Sequence, residues 1–304
     1  MAIDVRSLQY FIAVAEERNF RRAAERLGMQ QPPLSRQIKS LERELDVQLF
    51  RRKPRGVELT SAGSVLLDEA KATLGQLHRG VEATRRTARG EQGRLSVGIA
   101  PTAAFHPVVP QSIRAYREAY PRVSLTLWEG LSNDVAARFV KGDMDVAFVR
   151  AASLHVEGVQ VTPLLDEPMM LALPSQHPMA QGTHDKAMPL SRFSADPFII
   201  VGPSGTGIHD ETIAACRKSG FSPLIEQQAP RITSTLSLVA AGLGIAIVPE
   251  SMQRMTMDGV VFRRLSGARP TAFLGLASRR ADASPVVRQF LSLVRRIARE
   301  RHSD

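Results

Sequence analysis

Residues that could bind a nucleic acid are concentrated in the segment "QQPPLSRQIK", residues 30–39. At about 100° per residue, Pro32, Arg36 and Lys39 fall on one side of a helix. The opposite side is apolar and carries Leu34, Ile38, Leu41 and Leu45. Guanidinium and ammonium groups bind phosphates and base edges, and a hydroxyl such as that of Ser35 can bind either. The alternative is a surface helix whose charged face is only solvated.

Two adjacent prolines, Pro32 and Pro33, stand at the front of this helix. The N–H groups of a first helical turn have no partner within the helix, so proline costs little there. A residue before proline is pushed away from helical geometry, so we expect a sharp start at Pro32–Pro33. The resulting apolar corner can pack on thymine methyl groups while Ser35 and Arg36 reach polar edges or phosphates.

Two further helical patterns precede this segment. Residues 7–17 place Leu8, Phe11, Ile12 and Ala15 on one face. A second helix follows Asn19, a good N-cap, and is ended by Gly28. Helix, glycine-containing turn and a second helix with a basic face predict a helix-turn-helix, whose second helix enters the major groove of DNA.

A basic hairpin is predicted after this helix. Apolar residues alternate with polar ones on both sides of residues 51–56, at Val47, Leu49, Val57 and Leu59. The pattern predicts a two-stranded wing whose basic tip follows phosphates or probes a minor groove. The alternative is a solvated charged loop.

Three motifs in this region are typical of one family. They are "AA-x-x-L" at 23–27, "QPPLSRQI-x-x-LE" at 31–42 and "LF-x-R-x-x-x-G-x-x-LT-x-AG" at 49–63. Residues 8–63 thus resemble, without an evident gap, the winged helix-turn-helix of LysR-type transcriptional regulators. By position, the resemblance implies base-proximal roles for Gln31, Pro32, Pro33, Ser35 and Arg36, and a wing arginine at Arg55. The double proline resembles the branch that controls benzoate, catechol and chlorocatechol degradation.

Residues 61–90 predict one long linker helix. Its apolar seam steps by three or four residues through Leu66, Ala70, Leu74, Leu77, Val81, Thr84 and Ala88. This is close to a 3.5-residue repeat, which favours a partner helix over packing on its own domain. We expect a homodimer that presents two recognition helices to a dyad-symmetric DNA site, and the resemblance implies a homotetramer. Residues 85–93 are the expected hinge.

From Arg94 onward, short apolar strands alternate with helices. The strands are predicted at 94–100, 123–129, 145–150, 197–202 and 245–249, and the helices at 105–121, 132–143, 207–220 and 233–244. This order predicts an α/β fold with parallel sheets, which bind ligands beyond the carboxyl ends of their strands. The resemblance implies a two-lobed domain like that of periplasmic solute-binding proteins, with an effector in the cleft.

The predicted organisation has three parts. A winged helix-turn-helix DNA-binding domain spans 1–60, a linker and dimerisation helix spans 61–90, and an effector-binding domain spans 91–304. By analogy with the family, lobe I covers about 94–164 and 270–304, and lobe II about 165–269.

Five residues are candidate effector contacts. Thr102, Ser132 (the expected N-cap of its helix) and Arg150 lie at strand ends, and Ser204 and Thr206 lie in "GPSGTGIH", residues 202–209. Hydroxyls at helix N-termini suit a carboxylate, although the hydroxyls could be ordinary caps and the arginine a structural ion pair. The last segment is not a P-loop, because Ile208 and His209 replace its lysine and its Ser/Thr.

Composition narrows the function classes. The net charge of +10 favours an anionic partner, nucleic acid before an acidic membrane. No apolar run approaches the roughly 20 residues of a membrane span, and residues 1–20 lack the order of a secretory signal, so we expect a cytoplasmic protein. The single cysteine, Cys216, excludes an internal disulfide, and with it the redox sensors of the same family that need one.

We expect no metal, no cofactor and no enzymatic activity, because neither metal-ligand spacing nor a nucleophile motif is present in the sequence. The resemblance implies that a small carboxylate effector changes lobe closure, and that RNA polymerase is a further partner of an activator. A solute-binding protein is the alternative, because the large domain alone would suit it. The basic front domain argues against that alternative.

Overall fold

Residues 3–54, 56–152, 154–181, 187–205, 207–267, 269–281 and 284–301 are described by the computed structural model. Two of the predicted site residues, Arg55 and Thr206, lie outside them. The chain divides into two units, Met1–Arg86 and Thr87–Asp304.

The first unit begins with helices α1 (Val5–Glu17), α2 (Phe20–Arg26) and α3 (Gln31–Leu45). Helices α1 and α2 each begin at a side-chain N-cap. The Asp4 carboxylate accepts from Ser7 N at 2.7 Å, and Asn19 Oδ1 accepts from Arg21 N at 2.9 Å. The predicted helix-turn-helix is therefore present. One detail differs: α3 begins at Gln31, one residue before the double proline. The N–H groups of the first helical turn have no partner within the helix, and proline has no N–H to lose, so both prolines fit in the first turn of α3.

A hairpin of β1 (Phe50–Lys53) and β2 (Gly56–Leu59) follows, with Phe50 paired to Leu59. Leu49 and Phe50 are buried with the inner faces of the three helices, and the Phe50 ring lies 5.3 Å from that of Phe11. The prediction that Val47 and Leu49 belong to the first strand is wrong, because β1 begins at Phe50. Leu49 is buried directly before the strand, whereas Val47 is 42% exposed.

Helix α4 (Ser61–Ala88) continues from the wing. Its first turns pack on the first unit through Leu66, Leu67 and Ala70. Further along the predicted seam, Leu77 and Val81 are 49% and 41% exposed.

The second unit is built on β3 (Gln92–Ile99), β4 (Arg122–Glu129) and β5 (Val146–Val149), which pair in parallel. Helices α5 (Val108–Ala119) and α6 (Ser132–Lys141) connect these strands. The long strand β6 (Val159–Pro174) then leads into the second lobe. The alternation of strand and helix that the sequence predicts is confirmed here.

The second lobe contains β7 (Met188–Pro189), β8 (Pro197–Val201), α7 (Gly207–Lys218), β9 (Leu224–Ala229), α8 (Ile232–Ala240), β10 (Ala246–Pro249) and β11 (Val260–Ser266). The chain returns to the first lobe through β12 (Thr271–Arg279) and α9 (Pro285–Glu300). Of these strands, β8 and β9 pair in parallel.

Within the described residues, the order of the large sheet is β4-β3-β5-β12-β6-β11-β7, with β10 also paired to β6. The expectation of parallel sheets therefore holds only in part, since β12 runs antiparallel to both β5 and β6. The two long strands join two separate hydrophobic cores, one under α5 and α9 and one under α7 and α8. The result is a mixed α/β, two-lobed domain. No helix among the described residues is long and apolar enough to cross a membrane.

Candidate DNA-binding surface and effector cleft

Helix α3 places its basic residues on the outside of the first unit. Leu34, Ile38 and Leu41 are buried, and this fixes the rotation of the helix about its axis. Gln31, Pro32, Arg36 and Lys39 are consequently exposed, and Pro33 and Ser35 are half-buried. The face predicted from the helical spacing is the face that solvent reaches.

The wing extends this surface. Arg51, Arg52 and Lys53 are exposed on β1, and Lys53 Nζ lies 2.9 Å from the Glu58 carboxylate in a solvent-exposed pair. A groove between α3 and the wing is lined by residues of both, including Gln31, Ser35 and Arg52. The arrangement offers hydrogen-bond donors of the helix and cations of the hairpin to one ligand.

A narrow cleft lies between the lobes of the second unit. The first lobe lines it with Thr102, Ser132 and Arg150, which the sequence predicted as effector contacts. The second lobe contributes Gly207, Ile208 and Arg231, among others. A Cβ on Gly207 would lie 2.1 Å from the Arg150 carbonyl oxygen, so only glycine allows α7 to start this close to the first lobe.

Arg150 lies at the centre of a buried network. Its Nη2 donates to Glu167 Oε2 at 2.6 Å and to the Thr102 carbonyl at 3.1 Å, and its Nη1 donates to the Ala272 carbonyl at 3.2 Å. Glu167 Oε1 accepts in turn from Ser251 N at 2.6 Å. Arg150 is therefore a structural ion-pair partner as well as a cleft residue. These partners join both lobes and both long strands.

The electrostatics of this network are those of a buried pair. The side chains of Arg150 and Glu167 are 6% and 4% exposed. Burial lowers the pKa of Arg150 from its usual value, and the neighbouring Glu167 carboxylate acts in the opposite direction. Arg150 Nε is also buried and has no hydrogen-bond partner among the described residues.

Two candidate contacts are placed differently from the prediction. Ser132 is the first residue of α6 and Leu131 is the N-cap, whose N–H donates to Asp134 Oδ2 at 3.3 Å. Asp134 takes over the capping role because its side chain reaches back from the third helical position. Ser204 is exposed and is not among the residues that line the cleft.

Arg231 was missed by sequence reasoning, although it immediately precedes α8 and lines the cleft. The signal was its position after β9, the same strand-end position that Thr102 occupies after β3. That signal was hidden because β9 carries Glu226, Gln227 and Gln228 and does not look like an apolar strand.

Comparison with known proteins finds one family model in each of the two units of the chain. Residues 5–64 match the bacterial regulatory helix-turn-helix protein, lysR family, and residues 88–299 match the LysR substrate binding domain. The chain belongs to the LysR family of bacterial transcriptional regulators. The family prediction is confirmed, and the helix-turn-helix match sets aside the alternative of a solute-binding protein. The chain is a DNA-binding transcriptional regulator with an effector-binding domain.

Similar proteins match over nearly the whole chain. The HTH-type transcriptional regulator AlsR of Bacillus subtilis (strain 168) is 36% identical over 296 residues, which cover 96% of this chain and 95% of AlsR. The crystal structure of CbnR, a LysR family transcriptional regulator, aligns with a TM-score of 0.87 at 30% identity, covering 96% of this chain and 100% of CbnR. Full-length CbnR complexed with its target DNA aligns with a TM-score of 0.85 at 30% identity, covering 97% and 100%.

Proposed function

We propose that this regulator is an activator that responds to a small carboxylate bound between the lobes of its second unit. The observation that carries the proposal is that Arg150, Thr102 and Ser132 line one cleft between the lobes. Charged guanidinium donors favour carboxylate acceptors. The first turns of α6 and α7 also line the cleft, at Ser132 and Gly207, and helix N-termini attract anions.

The other cleft residues indicate the body of the ligand. Leu131, Val201, Ile208 and Ile232 provide apolar walls close to the polar groups. Sites of this kind bind small molecules with an apolar body and one or two fixed polar groups. The chemistry of this lining suits a small aromatic or unsaturated carboxylate, in agreement with the resemblance to regulators of aromatic degradation. The cavity is only about 60 Å³, so the lobes must open to admit such a ligand. We propose that this ligand is an effector and is not chemically converted.

The proposed DNA contacts are Gln31, Pro32, Pro33, Ser35, Arg36, Lys39 and Arg55. A homodimer formed through the exposed seam of α4 would present two copies of α3 to a dyad-symmetric site, and two dimers would form a tetramer. The effector shifts this assembly only if it binds one lobe arrangement better than the other. An activator of this kind acts on RNA polymerase at the promoter, in the cytoplasm.

A thermal-shift screen of small aromatic and dicarboxylic acids tests the proposal. A true effector at about one hundred times its Kd should stabilise the second unit by about 2.7 kcal/mol, a shift of roughly 5–10 °C. Thr102→Val and Ser132→Ala should remove the shift, because each deletes a cleft hydroxyl, while operator binding is retained. Ser204→Ala is the matched control, because that hydroxyl is exposed outside the cleft and its loss should leave the shift unchanged. Unchanged ligand titration in both cleft variants would refute this site.

A further inference from the structure

A single side chain of α3 holds the start of the wing. Glu42 Oε1 accepts hydrogen bonds from Leu49 N at 2.8 Å and from Phe50 N at 3.2 Å. These two amides lie where the chain enters β1, directly before the exposed arginines of the hairpin. Helix α3 and the wing are therefore joined by a hydrogen-bonded link as well as by their shared hydrophobic core.

The position of Glu42 is unfavourable for the helix itself. It lies in the last turn of α3, where the unpartnered carbonyl groups of the helix end disfavour a negative charge. It is also half-buried, which adds a desolvation cost. The two amide donors offset these costs, because hydrogen bonds to a carboxylate are stronger than those between neutral groups. The residue thus serves the wing and not the helix.

The second strand of the wing is held by a different part of the unit. Val57 N donates to the Arg18 carbonyl at 2.9 Å, in the turn between α1 and α2. The start of β1 is also held by the burial of Leu49 and Phe50 and by Thr60 N, which donates to the Leu49 carbonyl at 2.9 Å. Loss of the Glu42 link would therefore leave the hairpin folded and attached, and would remove a direct side-chain link between the start of β1 and the end of α3. Arg52 lies two residues beyond Phe50 on β1 and lines the same groove as Gln31 and Ser35. The Glu42 hydrogen bonds tie the strand that carries Arg52 directly to α3.

We propose that Glu42 is the positioning residue that couples the wing to the recognition helix, so that Arg52 contacts DNA in register with Arg36. The inference rests on the proposed function, because it takes the exposed faces of α3 and the wing as the DNA-binding surface. It adds that one carboxylate, which itself touches no DNA, sets the distance between the two sets of contacts.

A double-mutant cycle on the full-length protein tests this coupling, with affinity measured on a duplex from its own upstream region. In the wild-type background, Arg52→Ala and Arg36→Ala should each weaken binding roughly tenfold. In the Glu42→Ala background, Arg52→Ala should weaken binding less than about twofold further, because the misplaced hairpin no longer makes that contact. Arg36→Ala should keep its full effect there.

Two variants separate positioning from charge and from folding. Asp46→Asn removes a negative charge from the exposed C-cap of the same helix, keeps a residue type that accepts its left-handed backbone, and should leave both arginine effects unchanged. Glu42→Gln keeps an oxygen that can accept from both amides, so it should restore most of the Arg52→Ala effect. If Glu42→Ala fails to fold, Glu42→Asp replaces it, because it keeps the charge and shortens the reach.

The outcomes are distinguishable. Full additivity of Glu42→Ala with Arg52→Ala, at the level seen with Asp46→Asn, would overturn the coupling and leave the proposed DNA surface intact. An equal loss of the Arg36 and Arg52 effects would mean a general loss of structure and would also overturn it. No effect of either arginine in the wild-type background would overturn the DNA contacts, and the coupling with them.

Discussion

Replacing Arg150 with methionine should strongly destabilise the second unit. The substitution removes the guanidinium from a pair whose two side chains are 6% and 4% exposed. Of the two donors that Glu167 has in the wild type, Arg150 Nη2 and Ser251 N, the buried carboxylate then keeps Ser251 N. The carbonyls of Thr102 and Ala272 lose their donors as well. Breaking a buried pair from one side costs about 3–5 kcal/mol, which corresponds to roughly 6–20 °C in Tm for a unit of this size.

Urea unfolding followed by tryptophan fluorescence is a selective assay for this effect. The sequence has a single tryptophan, Trp128, on β4, so the signal reports the second unit alone. Arg264→Met is the control, because its pair with Glu250 is longer, at 3.7 Å, and its side chain is 65% exposed. It should cost less than about 1 kcal/mol.

The partner substitution completes this test. Adding Glu167→Gln to Arg150→Met removes the uncompensated charge and should recover about 1–2 kcal/mol of the loss. An Arg150→Met cost no larger than that of the surface control would refute the reasoning, since the buried network would then contribute nothing that a surface pair does not.

Two further predictions follow from local geometry. Gly56→Ala should destabilise the wing by about 1–3 kcal/mol, because the φ of Gly56 is 141° and its Cβ would lie 2.4 Å from the Arg18 carbonyl oxygen. Amide exchange over residues 50–53 and 56–60 should show the loss, whereas Gly80→Ala, in the helical backbone of α4 with open space around it, should leave these amides protected. His106 should make the second unit less stable in acid, because burial lowers its pKa to about 4 and the unfolded chain therefore binds the extra proton between about pH 6.5 and 4. Between pH 7 and pH 5, the free energy of unfolding measured in urea should fall by about 1 kcal/mol less in His106→Gln than in the wild type, after allowance for solvent at this partly exposed ring. An equal fall in both proteins would contradict the assignment.

The first unit could be predicted from the sequence because its signals are local. The Asn19 cap, the apolar stripe of α3 and the basic hairpin are each contained in a few consecutive residues. The apolar spacing predicted the face of α3, whereas the double proline missed its first residue by one. Val47 shows where the local signal ended, because alternation alone does not decide which apolar residue enters the core: Leu49 is buried and Val47 is 42% exposed.

The second unit was predictable in its strand–helix order but not in its pairing. Strands β6 and β12 pair across more than one hundred residues of sequence, as Ala272 does with Glu167, and no local pattern encodes such a register. The same holds for the cleft. Arg150 could be chosen as a strand-end residue, but its carbonyl partner at Ala272 lies 122 residues away in sequence. Its double role in structure and in the cleft therefore became visible only in the fold.

Strand β6 has a consequence for how the second unit can be divided. Its first half pairs with β12 in one lobe, and its second half pairs with β10 and β11 in the other. Neither lobe can be expressed as a separate fragment without taking a strand from its neighbour. A protease cut inside Val159–Pro174 would accordingly disrupt both halves together, and the lobes should unfold in one cooperative transition.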